Sequence, residues 1–72
     1  MKRMETFSVG QKLNFPEYDG VHQKKILNIL WSESGKGDIF YPKKEVLTQA
    51  AEWSIFLFDD GTYLMGNEIP KQ

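Results

Sequence analysis

Residues 53–65 read WSIFLFDDGTYLM, and the way this stretch folds back on itself decides the architecture. An Asp60-Gly61 pair between two apolar runs is the strongest hairpin signal in the chain. A two-residue loop at that pair sets Phe58 against Tyr63 and Phe56 against Met65 on one surface, with Leu57 against Leu64 on the other. Both surfaces are therefore apolar, and the hairpin needs cover on each side.

Just upstream, YPKKEVLTQAAEW (41–53) changes period. Pro42 suits the first position of a helix, and Val46, Leu47, Ala50 and Ala51 recur at three-and-four spacing as a narrow apolar stripe. A short helix is predicted, although Lys43 and Lys44 sit badly at the positive end of its dipole. A helix of roughly three turns is only about 15 Å long. It covers one part of the hairpin's second surface and leaves some of Phe56, Phe58, Tyr63 and Met65 bare.

Further out, FSVGQKLNF (7–15) alternates, with Phe7, Val9, Leu13 and Phe15 on one parity and Gly10 marking a bulge or bend. PEYDGVH (16–22) carries Pro16 and Asp19-Gly20 and reads as a turn. KKILNILWSE (24–33) predicts a strand of about eight residues, with Leu27, Ile29 and Trp31 on one face and Ile26 and Leu30 on the other. DIFY (38–41) then returns as a short strand through a hairpin at Gly35 and Gly37. The predicted order is strand, strand, short strand, helix, strand, strand. One hairpin surface is expected to form the core with Phe7, Val9, Leu27 and Ile29.

Composition bounds the rest. Seventy-two residues make a single domain, 1–72, whose core yields roughly 3–5 kcal/mol of net stability. With no cysteine and one histidine, His22, disulfides and thiolate metal sites are excluded, and no cofactor or metal is expected. Stability rests on apolar packing, supplied by two Trp, three Tyr and five Phe. No stretch approaches the roughly 20 apolar residues that span a bilayer, and MKRMETF has the positive start of a leader without its apolar segment. A cytoplasmic protein with no membrane contact is expected, and the absence of cysteine fits a reducing compartment. Nine Lys and Arg against ten Asp and Glu give a net charge of −1, which argues against a generic polyanion binder and against an acidic nucleic-acid mimic.

Taken together, FSVGQKL, then GVHQKKILNI, then WSIFLFDDGTYLMGNEI resembles the skeleton of SH3-like small barrels of the KOW, Tudor and HspQ-like kinds. Those open with an aromatic-x-Val-Gly strand, continue through a loop ending Gly-Val, and close with a strand, an Asp-Gly turn and a final strand. The resemblance implies a mainly-β fold with one short helix, a five-stranded, partly open barrel. Residues 42–52 depart from it, because such barrels carry a loop or a single turn there. An open α+β antiparallel sheet with one packed helix is the competing architecture.

Catalysis finds little support. His22 lies in a turn region, Ser32 and Ser34 stand in no nucleophile arrangement, and there is no Gly-x-Ser-x-Gly elbow. Asp59 and Asp60 read as turn residues rather than as paired carboxylates, and SGKGD (34–38) lacks phosphate-loop spacing. The chain is expected not to be an enzyme. The leading expectation is a small accessory or regulatory protein that binds a larger protein through an aromatic sheet face of Trp53, Phe56, Phe58, Tyr63 and Met65, extended by Trp31 and Tyr41. A homodimer burying that face is the bland version. The alternative is an RNA or single-strand nucleic-acid binding module. It would use Lys24, Lys25, Lys43 and Lys44 with Trp31 and Tyr41, and the resemblance to KOW-type barrels likewise implies contact with RNA.

Overall fold

A computed structural model describes residues 6–17, 19–33 and 39–72. Its strands are β1 (Thr6–Ser8), β2 (Lys12–Glu17), β3 (Gly20–Trp31), β4 (Tyr41–Lys43), β5 (Glu45–Leu47), β6 (Ser54–Phe58) and β7 (Tyr63–Met65). Two 3-10 helices, Thr48–Trp53 and Gly66–Glu68, follow β5 and β7. All pairings are antiparallel: β1 with β5, and a five-stranded sheet in which β3 pairs with β2, β4 and β6, while β6 pairs with β7. The result is a mainly-β, curled sheet closed to half a barrel, compatible with a small-barrel fold.

The long strand β3 makes this curl. Its first half pairs with β2, from Gly20 against Glu17 to Lys25 against Lys12. Its second half pairs with β4 and β6. At the changeover Ile26 accepts from Gly10 N–H and donates to Gln11 C=O, so two residues of the β1–β2 bend oppose one of β3. A second irregularity lies next to it, because Ile26 opposes Phe58 while Asn28 opposes Leu57. Leu27 is the extra residue, and its side chain is 56% exposed. The bulge switches which parity of β3 faces inward, so both Ile26 and Ile29 are fully buried.

The core joins those two isoleucines to Phe7, Leu13, Phe15, Val46, Ala51, Phe56 and Phe58. Two edge-to-face ring pairs brace it, Phe7 on Phe56 at 5.4 Å and Phe15 on Phe58 at 5.3 Å. Two expected members are absent. Leu27 is expelled by the bulge, and Val9 is exposed because the chain turns at Gly10 (φ +93°), between β1 and β2.

The helix expected from Pro42 does not form. Tyr41–Lys43 pairs with β3, Glu45–Leu47 pairs with β1, and only Thr48–Trp53 is helical, in the 3-10 form. Alternation in β5 already buries Val46 against Phe7 and exposes Leu47, so strand pairing uses the residue that a helix stripe would have used. No α-helix occurs among the described residues, which removes the open α+β alternative. The return strand is Tyr41–Lys43 rather than residues 38–41, and the turn expected at Gly35 and Gly37 lies outside the described residues.

One contact fixes how the last turn packs on the 3-10 helix. A Cβ added to Gly66 would stand 1.6 Å from the carbonyl oxygen of Ala51 and 2.2 Å from its carbon. No rotamer change relieves a clash with backbone. Gly66→Ala is therefore expected to cost about 3 kcal/mol or more, most of the stability of so small a domain, and Asn67→Ala next to it should cost under about 0.5 kcal/mol. Urea midpoints of the two variants decide it, and equal midpoints would refute the close approach.

Candidate functional site

Cross-strand partners lie on the same face of a sheet, so the register sorts the surface residues into two groups. On the outer face a row runs Pro42, Leu30, Ile55, Met65 across β4, β3, β6 and β7. Beside it runs a second row, Asn28, Leu57, Tyr63. Trp53 is exposed at the end of its 3-10 helix, just before β6. Tyr63 is 65% exposed, and Met65 is exposed beside the half-buried Ile55 and Leu57. The inner face carries Ile29, Phe56 and Leu64 in one row, and Trp31 with Ser54 and Tyr41 in the next.

This sorting corrects the partner-binding set read from sequence. Trp53, Tyr63 and Met65 are at the surface, whereas Phe56 and Phe58 are core residues with 0% and 1% exposure. The cause is one residue of loop. Asp59, Asp60 and Gly61 form a three-residue connection, with Phe58 N–H donating to Thr62 C=O, Gly61 N–H donating to Phe58 C=O and Gly61 at φ +86°. A one-residue slip moves every side chain of a strand to the other face. Phe56 thus opposes Leu64 rather than Met65, and Tyr63 opposes Leu57. Trp31 and Tyr41 do not extend the outer patch, because they sit on the inner face. Leu30, Ile55 and Leu57 are the outer-face residues that the sequence reading missed. The Asp preceding Asp60-Gly61 was the available cue to a three-residue loop.

The nucleic-acid set also divides. Trp31, Tyr41 and Lys43 come together at the mouth of the half-barrel, where Tyr41 opposes Trp31 and the Lys43 ammonium stands 5.2 Å from the Trp31 ring centre. Trp31, Lys43, Glu45, Val46, Leu47 and Ala50 line a pocket of about 170 Å³ there, with Lys44 next in the chain. That is below the size of an ordinary small-molecule site. The Trp31 indole Nε1 and the hydroxyl of its cross-strand neighbour Ser54 are buried with no hydrogen-bond partner among the described residues.

Lys24 and Lys25 lie elsewhere. Seven positions of strand separate Lys24 from Trp31, about 23 Å at the usual rise. Lys24 has a structural post: its Nζ bonds Asp60 Oδ2 and Thr62 Oγ1, each at 3.1 Å, and stands over the rings of Phe15 and Phe58. Lys25 donates its N–H to Asp59 Oδ1 and accepts from Asp59 N–H, which ties β3 to the hairpin loop. His22 bonds Asp19 at 3.1 Å on the surface. Among the described residues no group of three metal-ligating side chains gathers, and no helix is long and apolar enough to cross a membrane. Comparison with protein-family models, curated proteins and solved structures finds no match to this chain.

The Lys24 latch has a pH signature. Bonds from the Thr62 hydroxyl and amide, with Lys24 adding to them, hold the Asp60 carboxyl down to about 2 from 3.8. A carboxylate whose folded pKa lies below its unfolded one stabilises the fold above the unfolded value, and that contribution fades as pH falls through the folded one. The stability gap between the wild type and Asp60→Asn should thus hold steady above about pH 4 and close between about pH 4 and pH 2. Urea melts at pH 6, 4 and 2 test this, and a gap unchanged at pH 2 refutes the latch.

Proposed function

We propose that this chain is a small, non-catalytic accessory or regulatory protein of the cytoplasm, built as an SH3-like barrel of the KOW, Tudor or HspQ-like kind, that docks a larger protein onto the outer face of its sheet. The observation that carries this reading is the apolar row Pro42, Leu30, Ile55, Met65 across four strands, flanked by Leu57 and Tyr63. Contiguous apolar surface on a small domain marks an interaction site, and Trp, Tyr and Met are the side chains that dominate interface energies. A net charge of −1 suits a protein partner better than a phosphate backbone.

A second reading, nucleic-acid binding at the mouth of the half-barrel, is favoured by one observation: Trp31, Tyr41 and Lys43 meet there, and the indole N–H lacks an acceptor. Glu45 in the same pocket opposes it.

Capture from lysate with and without nuclease separates the two. The expected result is a discrete protein that survives nuclease, is lost with Tyr63→Asp, and is kept with Lys43→Glu plus Lys44→Glu. These residues are all exposed, so the variants should melt within about 1 kcal/mol of the wild type. Bound material that disappears with nuclease, with the lysine pair and with added salt would replace the first reading by the second.

A further inference from the structure

β2 has β3 on one side and, among the described residues, no strand on the other. In an antiparallel ladder alternate residues turn their N–H and C=O toward the partner strand. Ile26 bonds Gly10 and Gln11, and the register continues with Leu13 against Lys24 and Phe15 against His22. Lys12, Asn14 and Pro16 therefore turn their main-chain groups outward. Asn14 is already occupied. The Gln72 side-chain Oε1 accepts its N–H at 2.6 Å, and Gln72 Nε2 donates to its C=O at 3.1 Å and to Pro70 C=O at 2.7 Å. A carboxamide that accepts from the N–H and donates to the C=O of one residue reproduces the bond pair that a strand neighbour would make.

We infer that the outer edge of β2 is a strand-addition site for β2 of a second copy of this chain, and that Gln72 holds it closed by standing in for that strand. The strand is self-complementary in one register. Antiparallel pairing about a two-fold axis at Leu13 sets Lys12 of each copy against Asn14 of the other. That arrangement forms four main-chain bonds, places no like charges opposite one another and joins the Leu13 rows of the two inner faces. Pro16, which has no N–H, falls outside those pairs and limits the ladder to its centre. The two-fold symmetry closes the assembly at a dimer rather than a fibre. This edge is separate from the outer face, so the inference stands or falls independently of the docking reading.

Sedimentation equilibrium of the wild type and of Gln72→Ala, from micromolar to millimolar, tests it. The Gln72→Ala dimer should dissociate with a constant at least about tenfold lower than the wild type, since two modest hydrogen bonds no longer have to open in each protomer. Adding Asn14→Pro removes an outward N–H that β3 does not use, and should return Gln72→Ala to monomer. Amide exchange gives the same decision without a second substitution: in Gln72→Ala the Asn14 N–H should exchange fast when dilute and become protected as concentration rises. Three results overturn the inference: equal dissociation constants, Asn14 exchange that ignores concentration, or a dimer abolished by Tyr63→Asp and indifferent to Asn14→Pro.

Discussion

Ile26 is the point on which the sheet turns. Its backbone binds two residues of the β1–β2 bend, and its side chain is fully buried opposite Phe58. The extra residue, Leu27, follows at once. Without that residue β3 would hold one parity along its twelve positions, and inward-facing residues against β2 would be out of phase with those against β6. The bulge restores the phase by moving one side chain to solvent and increasing the local twist. A strand shared among three partners can then wrap a core that a flat ribbon of this length could not enclose. An exposed leucine is the energetic cost of that geometry, about the 1.5–3 kcal/mol that burying it would have contributed.

The curl also determines how the two faces differ. On the concave side the ring pairs and the β1–β5 arm fill much of the space, and pockets remain beside Trp31 and between Phe7, Ala51 and Gln72. On the convex side nothing in the described fold is long enough to span four strands. The segment that might have done so, residues 41–53, is spent on β4, β5 and a 3-10 helix that pack inward. The apolar outer row is thus a consequence of where the middle of the chain goes. Lys24 shows the same economy at the other end. It faces inward opposite Leu13, and its ammonium escapes burial by reaching the Asp60 loop while its stem and charge cover two rings.

Much of this was legible in the residues. Alternation in 7–15, the Asp-Gly turns and the apolar pair of closing strands identify a small, mainly-β, partly open barrel, and the bend at Gly10 is where a glycine interrupts a strand pattern. What escaped has a common cause. In Ile55-Phe56-Leu57-Phe58 both parities are apolar, so hydrophobic pattern cannot say which pair is inside. Only the loop length decides it, and a difference of one residue exchanges core for surface. The same ambiguity in Ile26-Leu27 hides the bulge, and strand propensity gives no weight to the partner that β1 offers Glu45–Leu47. Of the five residues first assigned to the partner face, Phe56 and Phe58 turn inward, and Trp53, Tyr63 and Met65 stay at the surface.

An open half-barrel must also manage its unpaired strand edges, and three devices are present. At β4, Pro42 offers no N–H. At β7, Glu68 Oε1 accepts the Met65 N–H from a turn pinned by the Gly66 contact with Ala51. At β2, Pro16 blocks one position and Gln72 occupies another. The first is built into backbone, and the second is an exposed carboxylate carried on a turn that packs against Ala51. Gln72 is likewise an exposed side chain, and it is held by three hydrogen bonds at the surface. Exposed bonds of this sort are individually worth about 1 kcal/mol, so this guard opens more readily than a proline, whose missing N–H cannot be restored by any motion. Where association through an edge is concerned, rotation of the Gln72 side chain is enough to free both main-chain groups of Asn14 on β2.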